Sequence, residues 1–212
     1  MLTVGEVEIE RLGHAGFMIK GEKLVYVDPF ETDGEYEKAD IILITHGHYD
    51  HCSVKDIEKL IKAGTTLVIT PDVLSKVSRI INKGCDVKIV KPGDTIKVSD
   101  VSIEVVPAYN INKDFHNQRD EWVGYVIEMN NVRIYHAGDT DLIEEMRQLK
   151  DIDVALLPVS GTYVMTAMEA GEAANIIKPK IAVPMHYGAI VGSSADAETF
   201  KRNYNGRTEI LG

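Results

Sequence analysis

Three histidines and an aspartate stand within six positions in His46-Gly-His48-Tyr-Asp50-His51. Imidazole nitrogen and carboxylate oxygen ligate divalent transition metals, zinc first, with manganese and iron also suited. Residues 46 and 48 can project together from an irregular turn onto one ion. Asp50 and His51, further round the same turn, can serve a second ion close by. The competing reading is a run of loop histidines capping a helix. Such a run gains little from packing, and protonated imidazoles held together repel one another. Other ligand-type residues stand where apolar runs end. Asp28 closes Val25-Tyr-Val-Asp28, His136 closes Val132-Arg-Ile-Tyr-His136 with Asp139 just beyond it, and His186 closes Ile181-Ala-Val-Pro-Met-His186. Layered α/β folds collect their sites at one end of a sheet, so this placement describes a site assembled from distant segments.

The elements that must position these groups are legible as short β-branched runs alternating with helical patterns. The patterns predict strands at 7–12, 17–20, 24–28, 41–45, 66–69, 87–90, 95–98, 101–107, 123–129, 132–136, 154–157 and 181–185. They predict helices at 54–63, 73–82, 142–149, 167–177 and 195–204. Ser53 can cap the first helix and Gly64 follows its last turn. Gly84 closes the second, and Thr166 with Glu169 forms a capping box. Met165, Met168 and Met185 read as core. There is also a faint internal echo: Asp28, Asp40 and Pro71 are answered by Asp139, Asp153 and Pro184 at nearly constant spacing. Either two similar half-domains pack together or short patterns coincide.

The 212 residues carry a net charge of −10, which argues against nucleic acid or an anionic membrane surface as partner, because each needs a basic face. With 44% hydrophobic and 26% charged residues the profile is that of an ordinary globular domain. Two cysteines make no disulfide framework. The first residues carry charge too early for a secretory leader, and no apolar run approaches the roughly 20 residues of a membrane span. The expectation is a single cytoplasmic domain acting on a small molecule, with homo-oligomerisation left open.

The motif His-x-His-x-Asp-His, met by His46, His48, Asp50 and His51, resembles that of the metallo-β-lactamase superfamily. The chain is most similar to its branch of small metal-dependent hydrolases that includes the ascorbate-6-phosphate lactonase, and the resemblance covers nearly the whole length. It implies an α/β fold, a four-layer αββα sandwich of two half-domains, which would account for the echo. It also implies a binuclear site in which His46 and His48 hold one ion, Asp50, His51 and His186 hold the other, and Asp139 bridges. Asp28 would orient a ligand histidine by hydrogen bond. The resemblance sets the loop of His14, in Leu12-Gly-His14-Ala-Gly, beside the site, where His14 would touch substrate; as sequence alone it reads equally as a surface turn histidine. His136 is either a support beside Asp139 or the tail of a strand. Tyr163 could donate to an oxyanion or fill the core, and Cys52 reads as packed.

One position departs from the family pattern. A further histidine ligand of the first ion is usual after the strand at 101–107, but here the chain reads Pro107-Ala-Tyr-Asn110, and asparagine is a poor zinc ligand. His116 can take that place if the loop folds back, with Phe115 anchoring the fold-back in the core.

Two close divalent ions bring a bridging water's pKa toward neutrality, so the expected function is attack of that hydroxide on a small polar ester, lactone or phosphodiester. Asp50 is the candidate to orient the nucleophile and shuttle its proton. No Gly-x-Ser-x-Gly element offers a rival nucleophile. Two other classes compete: a non-catalytic or weakly active metal-binding module of the same fold, favoured by Asn110, and an iron redox protein, for which no flavin domain is evident.

Overall fold

The computed structural model describes residues 1–212. Strands β1 (Leu2–Val4), β2 (Val7–Gly13), β3 (Gly16–Lys20), β4 (Leu24–Val27), β5 (Ile41–Leu43), β6 (Thr66–Ile69) and β7 (Asp86–Ile89) form one sheet in chain order. Strands β8 (Thr95–Val98), β9 (Val101–Pro107), β10 (Val123–Met129), β11 (Val132–His136), β12 (Val154–Pro158), β13 (Ile181–Met185) and β14 (Arg207–Thr208) form the second, also in chain order. Each sheet opens with three antiparallel pairings and continues with three parallel ones. The helices are α1 (Val54–Leu60), α2 (Leu74–Ile81), α3 (Ala167–Ile177) and α4 (Ser194–Asn203).

Alternation along the strands builds the layers. In β4 and β5, Val25, Val27, Ile41 and Leu43 turn toward the second sheet, within a core of 48 buried residues. Tyr26, Ile42 and Ile44 face the other way, onto Ile57 and Leu60 of α1 and Val77 and Ile80 of α2. On the second sheet α3 and α4 pack against each other and onto β12 and β13. The result is the αββα sandwich.

The half-domain echo is real at the level of single hydrogen bonds. Asp40 Oδ2 accepts from Leu24 N–H at the start of β4, and Asp153 Oδ2 accepts from Arg133 N–H in β11. Lys62 pairs with Asp40 as Lys180 pairs with Asp153. The third echo fails. Pro71 lies past β6 in a 3₁₀ turn (Pro71–Val73), whereas Pro184 lies inside β13.

Several elements differ from expectation. Helix α1 stops at Leu60, because Thr65 Oγ1 takes the Lys62 N–H and itself donates to the Ala39 carbonyl. Pro71–Val73 precedes α2 as a 3₁₀ turn. The segment expected as a helix at 142–149 is a 3₁₀ turn over Glu144–Gln148. Its apolar residues Ile143, Met146 and Leu149 recur every third position, which is the 3₁₀ repeat. Met165 and Met185 are buried, but Met168 is 66% exposed, because α3 turns Ala170, Ala173, Ala174 and Ile177 inward instead. The caps at Ser53 and Thr166 form, and Gly84, at φ +89°, closes the turn after α2.

Candidate metal centre

The turn after β5 is built around Asp28. This buried residue follows β4 with left-handed backbone, φ +44°, a conformation uncommon outside glycine and one that clusters at functional sites. Its Oδ1 accepts the Thr45 N–H at 2.8 Å, and its Oδ2 accepts the Thr45 hydroxyl at 2.6 Å and His51 Nδ1–H at 2.8 Å. With its proton directed at Asp28, the Thr45 Oγ1 accepts His46 Nδ1–H at 3.0 Å. In the neutral rings the nitrogens that remain are acceptors. His46 Nε2 then lies 3.0 Å from His48 Nδ1. Between them Gly47 is closely packed: a Cβ there would stand 2.5 Å from Asp72 Oδ2, which accepts the Gly47 N–H, so that carboxylate would have to move. Trp122 donates to the same carboxylate and lays its ring 4.7 Å from that of His46.

Three other segments converge on this turn. His14 sits in the β2–β3 hairpin at φ +45°, and His186 follows β13 at φ +61°. They are tied together, since His186 N–H donates to the His14 carbonyl at 2.9 Å. Arg11 holds both segments: its guanidinium donates to the carbonyls of His14, Tyr187 and Leu211, and lies over the Tyr187 ring. Asp139 follows Gly138 after β11. A Cβ on Gly138 would meet the Val123 carbonyl at 2.6 Å, so the close approach requires glycine. His136 ties this turn to the hairpin, with Nε2–H donating to the Ala15 carbonyl and Nδ1 accepting from Gly138 N–H.

The loop after β9 folds back. Asn110 N–H donates to the His116 carbonyl at 2.7 Å, and the Asn110 side-chain amide donates to the Tyr163 carbonyl. His116 Nδ1–H reaches that same carbonyl at 3.1 Å, which turns Nε2 inward. Phe115 does not anchor this loop in the core. It is 48% exposed and rests edge-on against Tyr163 at the mouth of the site, because burying His116 turns the neighbouring side chain outward.

Two donor sets result, the ligand atoms of each lying within 4.8 Å of one another: His46, His48, His116 and Asp139; and His14, Asp50, His51 and His186. Asp139 stands between them. Its Oδ1 is 3.2 Å from His51 Nε2, and its Oδ2 is 3.1 Å from His186 Nε2 and 3.3 Å from His116 Nε2. Asp50 Oδ2 is 3.2 Å from His14 Nε2. The sequence left His14 between a substrate contact and a surface turn; it is buried and lies within the second donor set.

Burial holds His46, His48 and His14 below the usual imidazole pKa, so each is a neutral donor near pH 7. Burial also disfavours charge on His51, but Asp139 and Asp28 outweigh it and raise its pKa well above the ordinary value. Asp139 is likewise desolvated, yet His186 and His51 hold it well below the usual carboxylate range. The second nitrogens of His51, His116 and His186, both nitrogens of His14, and Asp139 Oδ1 are buried without a hydrogen-bond partner. Such orphaned atoms are costly unless something engages them. A nitrogen- and oxygen-rich set of this kind, with imidazoles fixed through their far nitrogens by Asp28, Thr45, Ser160 and Tyr163, fits divalent zinc, manganese or iron. Cys52 packs among the α1 and α2 residues, away from the donors.

Both sets open on a cleft of about 250 Å³ lined by His48, Tyr49, Asp50, Phe115, His116, Asp139, Tyr163 and Ile190. A larger cavity, about 340 Å³, lies beside the Glu144–Gln148 turn among Val106, Tyr135 and Met146 and holds none of the donors. Sequence reasoning missed Arg11, Thr45, Ser160 and Asp72 as positioning groups. For Thr45 a signal existed, since it joins the apolar run to the histidine turn. Arg11 and Asp72 carry no local signal at all.

The family described as "Beta-lactamase superfamily domain" matches residues 8–186. A protein named as a metal-dependent hydrolase in Thermococcus onnurineus is 36% identical over 216 residues, covering 97% of this chain and 95% of its own. One of the same description from Thermoplasma acidophilum is 37% identical over 199 residues, covering 89% and 87%. Among solved structures, a protein described as a metal-dependent hydrolase from Parabacteroides distasonis aligns with TM-score 0.85 at 34% identity, covering 97% of this chain and 92% of that one. A metallo hydrolase of Ignicoccus hospitalis shares the fold at TM-score 0.75 and 23% identity, covering 97% and 94%. The sandwich of two like half-domains, the histidine turn after β5 and these matches agree: the chain belongs to the metallo-β-lactamase superfamily.

Proposed function

We propose that this chain is a metal-dependent hydrolase of a small ester, lactone or phosphodiester, of lactonase or phosphodiesterase type. The observation that carries the reading is the pair of adjoining donor sets with Asp139 between them, facing one cleft. His46, His48, His116 and Asp139 would hold one ion, zinc in the first instance; Asp50, His51, His186 and His14 would hold the second, with Asp139 shared. Bound there, two divalent ions would supply a water deprotonated near neutral pH and positive charge against the developing oxyanion.

The chain's own groups do the rest. Asp28 and Thr45 engage Nδ1 of His51 and His46, which turns Nε2 of each ring inward. Asp50 is partly open to the cleft, with its carboxylate 3.2 Å from His14 Nε2, and is placed to accept the attacking water's proton and pass it to the leaving oxygen. The alternative of a non-catalytic module rested on Asn110, and Asn110 has another task here, closing the loop that delivers His116.

The test is hydrolysis of chromogenic esters, lactones and phosphodiesters by protein stripped of metal and then reloaded with zinc, manganese or iron. Turnover should depend on the metal, and Asp50→Asn should remove it from a folded protein. A stripped protein as active as the reloaded one would overturn the proposal.

A further inference from the structure

The walls of the cleft carry more information than its floor. Tyr49 is 67% exposed, Phe115 48% and Ile190 40%, and they come from three different loops around the two donor sets. Tyr163 stands behind Phe115 with ring centroids 4.7 Å apart, and Phe30 backs Tyr49 at 6.1 Å. Large apolar side chains kept in water at the rim of a polar site are the pattern of a binding surface, since nothing in the fold needs them exposed.

No lysine or arginine lines this cleft. The basic groups nearby are engaged elsewhere. Lys113, in the same loop as Phe115, pairs with Asp141. Lys76 donates to the Gly47 carbonyl. Arg11 is bonded to three backbone carbonyls behind His14 and His186. The net charge of −10 repels anions at longer range. A phosphoryl or carboxylate group on the substrate outside the reacting centre would therefore meet aromatic faces and no counter-charge. Sites that recognise such groups supply arginine or lysine. The cleft volume of about 250 Å³ lies below the roughly 300–1,000 Å³ usual for drug-sized ligands, so the substrate is compact.

We infer that the cleft selects a carboxylic ester or lactone bearing one compact, uncharged aryl or alkyl group, held by Tyr49, Phe115 and Ile190, and discriminates against substrates that carry a negative charge outside the reacting centre. This rests on the hydrolase reading above and narrows it. In the reaction the oxygen of water bonds to the acyl carbon and the acyl C–O bond breaks. Its electron pair leaves on the alcohol or ring oxygen, which takes a proton, and the products are an acid and an alcohol, or a single hydroxy acid from a lactone. No oxidant or further reactant enters.

The experiment compares dihydrocoumarin, an uncharged aryl lactone, with the same lactone bearing a ring carboxylate, on zinc-reloaded protein whose metal content is measured for every variant. Expected is a kcat/KM at least tenfold higher for the uncharged lactone. Phe115→Ala and Tyr49→Ala should each lower it by about tenfold, as loss of a buried ring contact would, chiefly through KM and with metal content unchanged. Ile190→Lys should narrow the gap by improving the carboxylate-bearing lactone. Equal or better turnover of the anionic lactone overturns this inference and leaves the hydrolase reading standing. If neither lactone is turned over, calorimetry with chroman, the same bicycle without its carbonyl, decides. Binding that Phe115→Ala weakens supports the uncharged-substrate cleft, and absence of binding overturns it.

Discussion

At the scale of single residues, the site is an exercise in fixing imidazoles. Each inward nitrogen is defined by what its partner nitrogen touches, and Asp28 governs two of them, His51 directly and His46 through Thr45. Asp28→Asn keeps a residue tolerant of positive φ but weakens the acceptor. It is expected to lower metal affinity by roughly 10–100-fold in a folded protein, measured by competition with a chelator. An unchanged affinity would show that Asp28 is only a turn residue. His116→Ala should remove one of two binding events when metal is titrated calorimetrically into stripped protein; two unchanged events would refute its place in the first donor set. His14→Ala should weaken the other event, and loss of rate with both events intact would return it to a substrate contact. The contiguous turn from His46 to His51 was legible in the sequence because four donors stand together. His116 could be singled out only as a histidine in want of a reason. Arg11 was invisible: an arginine in a strand is ordinarily a solvated side chain, and its burial against three carbonyls depends on segments up to 200 residues away.

At the scale of elements, the strands were legible wherever both faces are buried, because a run such as Ile41-Ile-Leu-Ile has no other use. What escaped were β1 and β14, three and two residues long, which exist through their neighbours' pairing more than through their own composition. Four of the five expected helices form, α3 with both its ends, but α1 is shorter than expected and the segment at 142–149 is a 3₁₀ turn, since Thr65 and the three-residue apolar repeat near Met146 act through tertiary contacts. The start of α1 offers a test. Burial tends to raise the pKa of Asp56, but hydrogen bonds from Ser53 and Thr32, and the Lys59 ammonium, lower it below the usual carboxylate value. A folded pKa lower than the unfolded one gives stability that is full above the unfolded value, about 3.9, and is lost as pH falls through the folded value. Asp56→Asn should therefore destabilise at pH 7, and the gap from the parent protein in urea unfolding should close below about pH 4. A gap that widens on acidification would contradict the assignment.

At the scale of the whole molecule, the site lies on the seam between half-domains that share one pairing pattern. His14, His46, His48, Asp50 and His51 come from the first sheet's loops, and His116, Asp139 and His186 from the second's. The echo of Asp40 in Asp153 was legible, because those aspartates make the same hydrogen bonds; the character of the cleft was not, because its walls come from loops whose shape no periodicity encodes. Each donor set draws on both halves, so a bound ion joins them, and its binding free energy adds to the stability of the whole sandwich. For an ion present at a thousand times its Kd that increment is about 4 kcal/mol. In a chain of this size each kcal/mol moves Tm by roughly 2–4 °C, so stripping the metal should lower Tm by about 10 °C. Calorimetric unfolding of loaded and stripped protein measures it. Since the 48-residue core already runs continuously through both sheets, the stripped protein should still unfold in one transition. Two separated transitions after stripping would mean that the ion, and not the shared core, couples the halves. An unchanged Tm, with metal removal verified by elemental analysis, would mean that no ion bridges them.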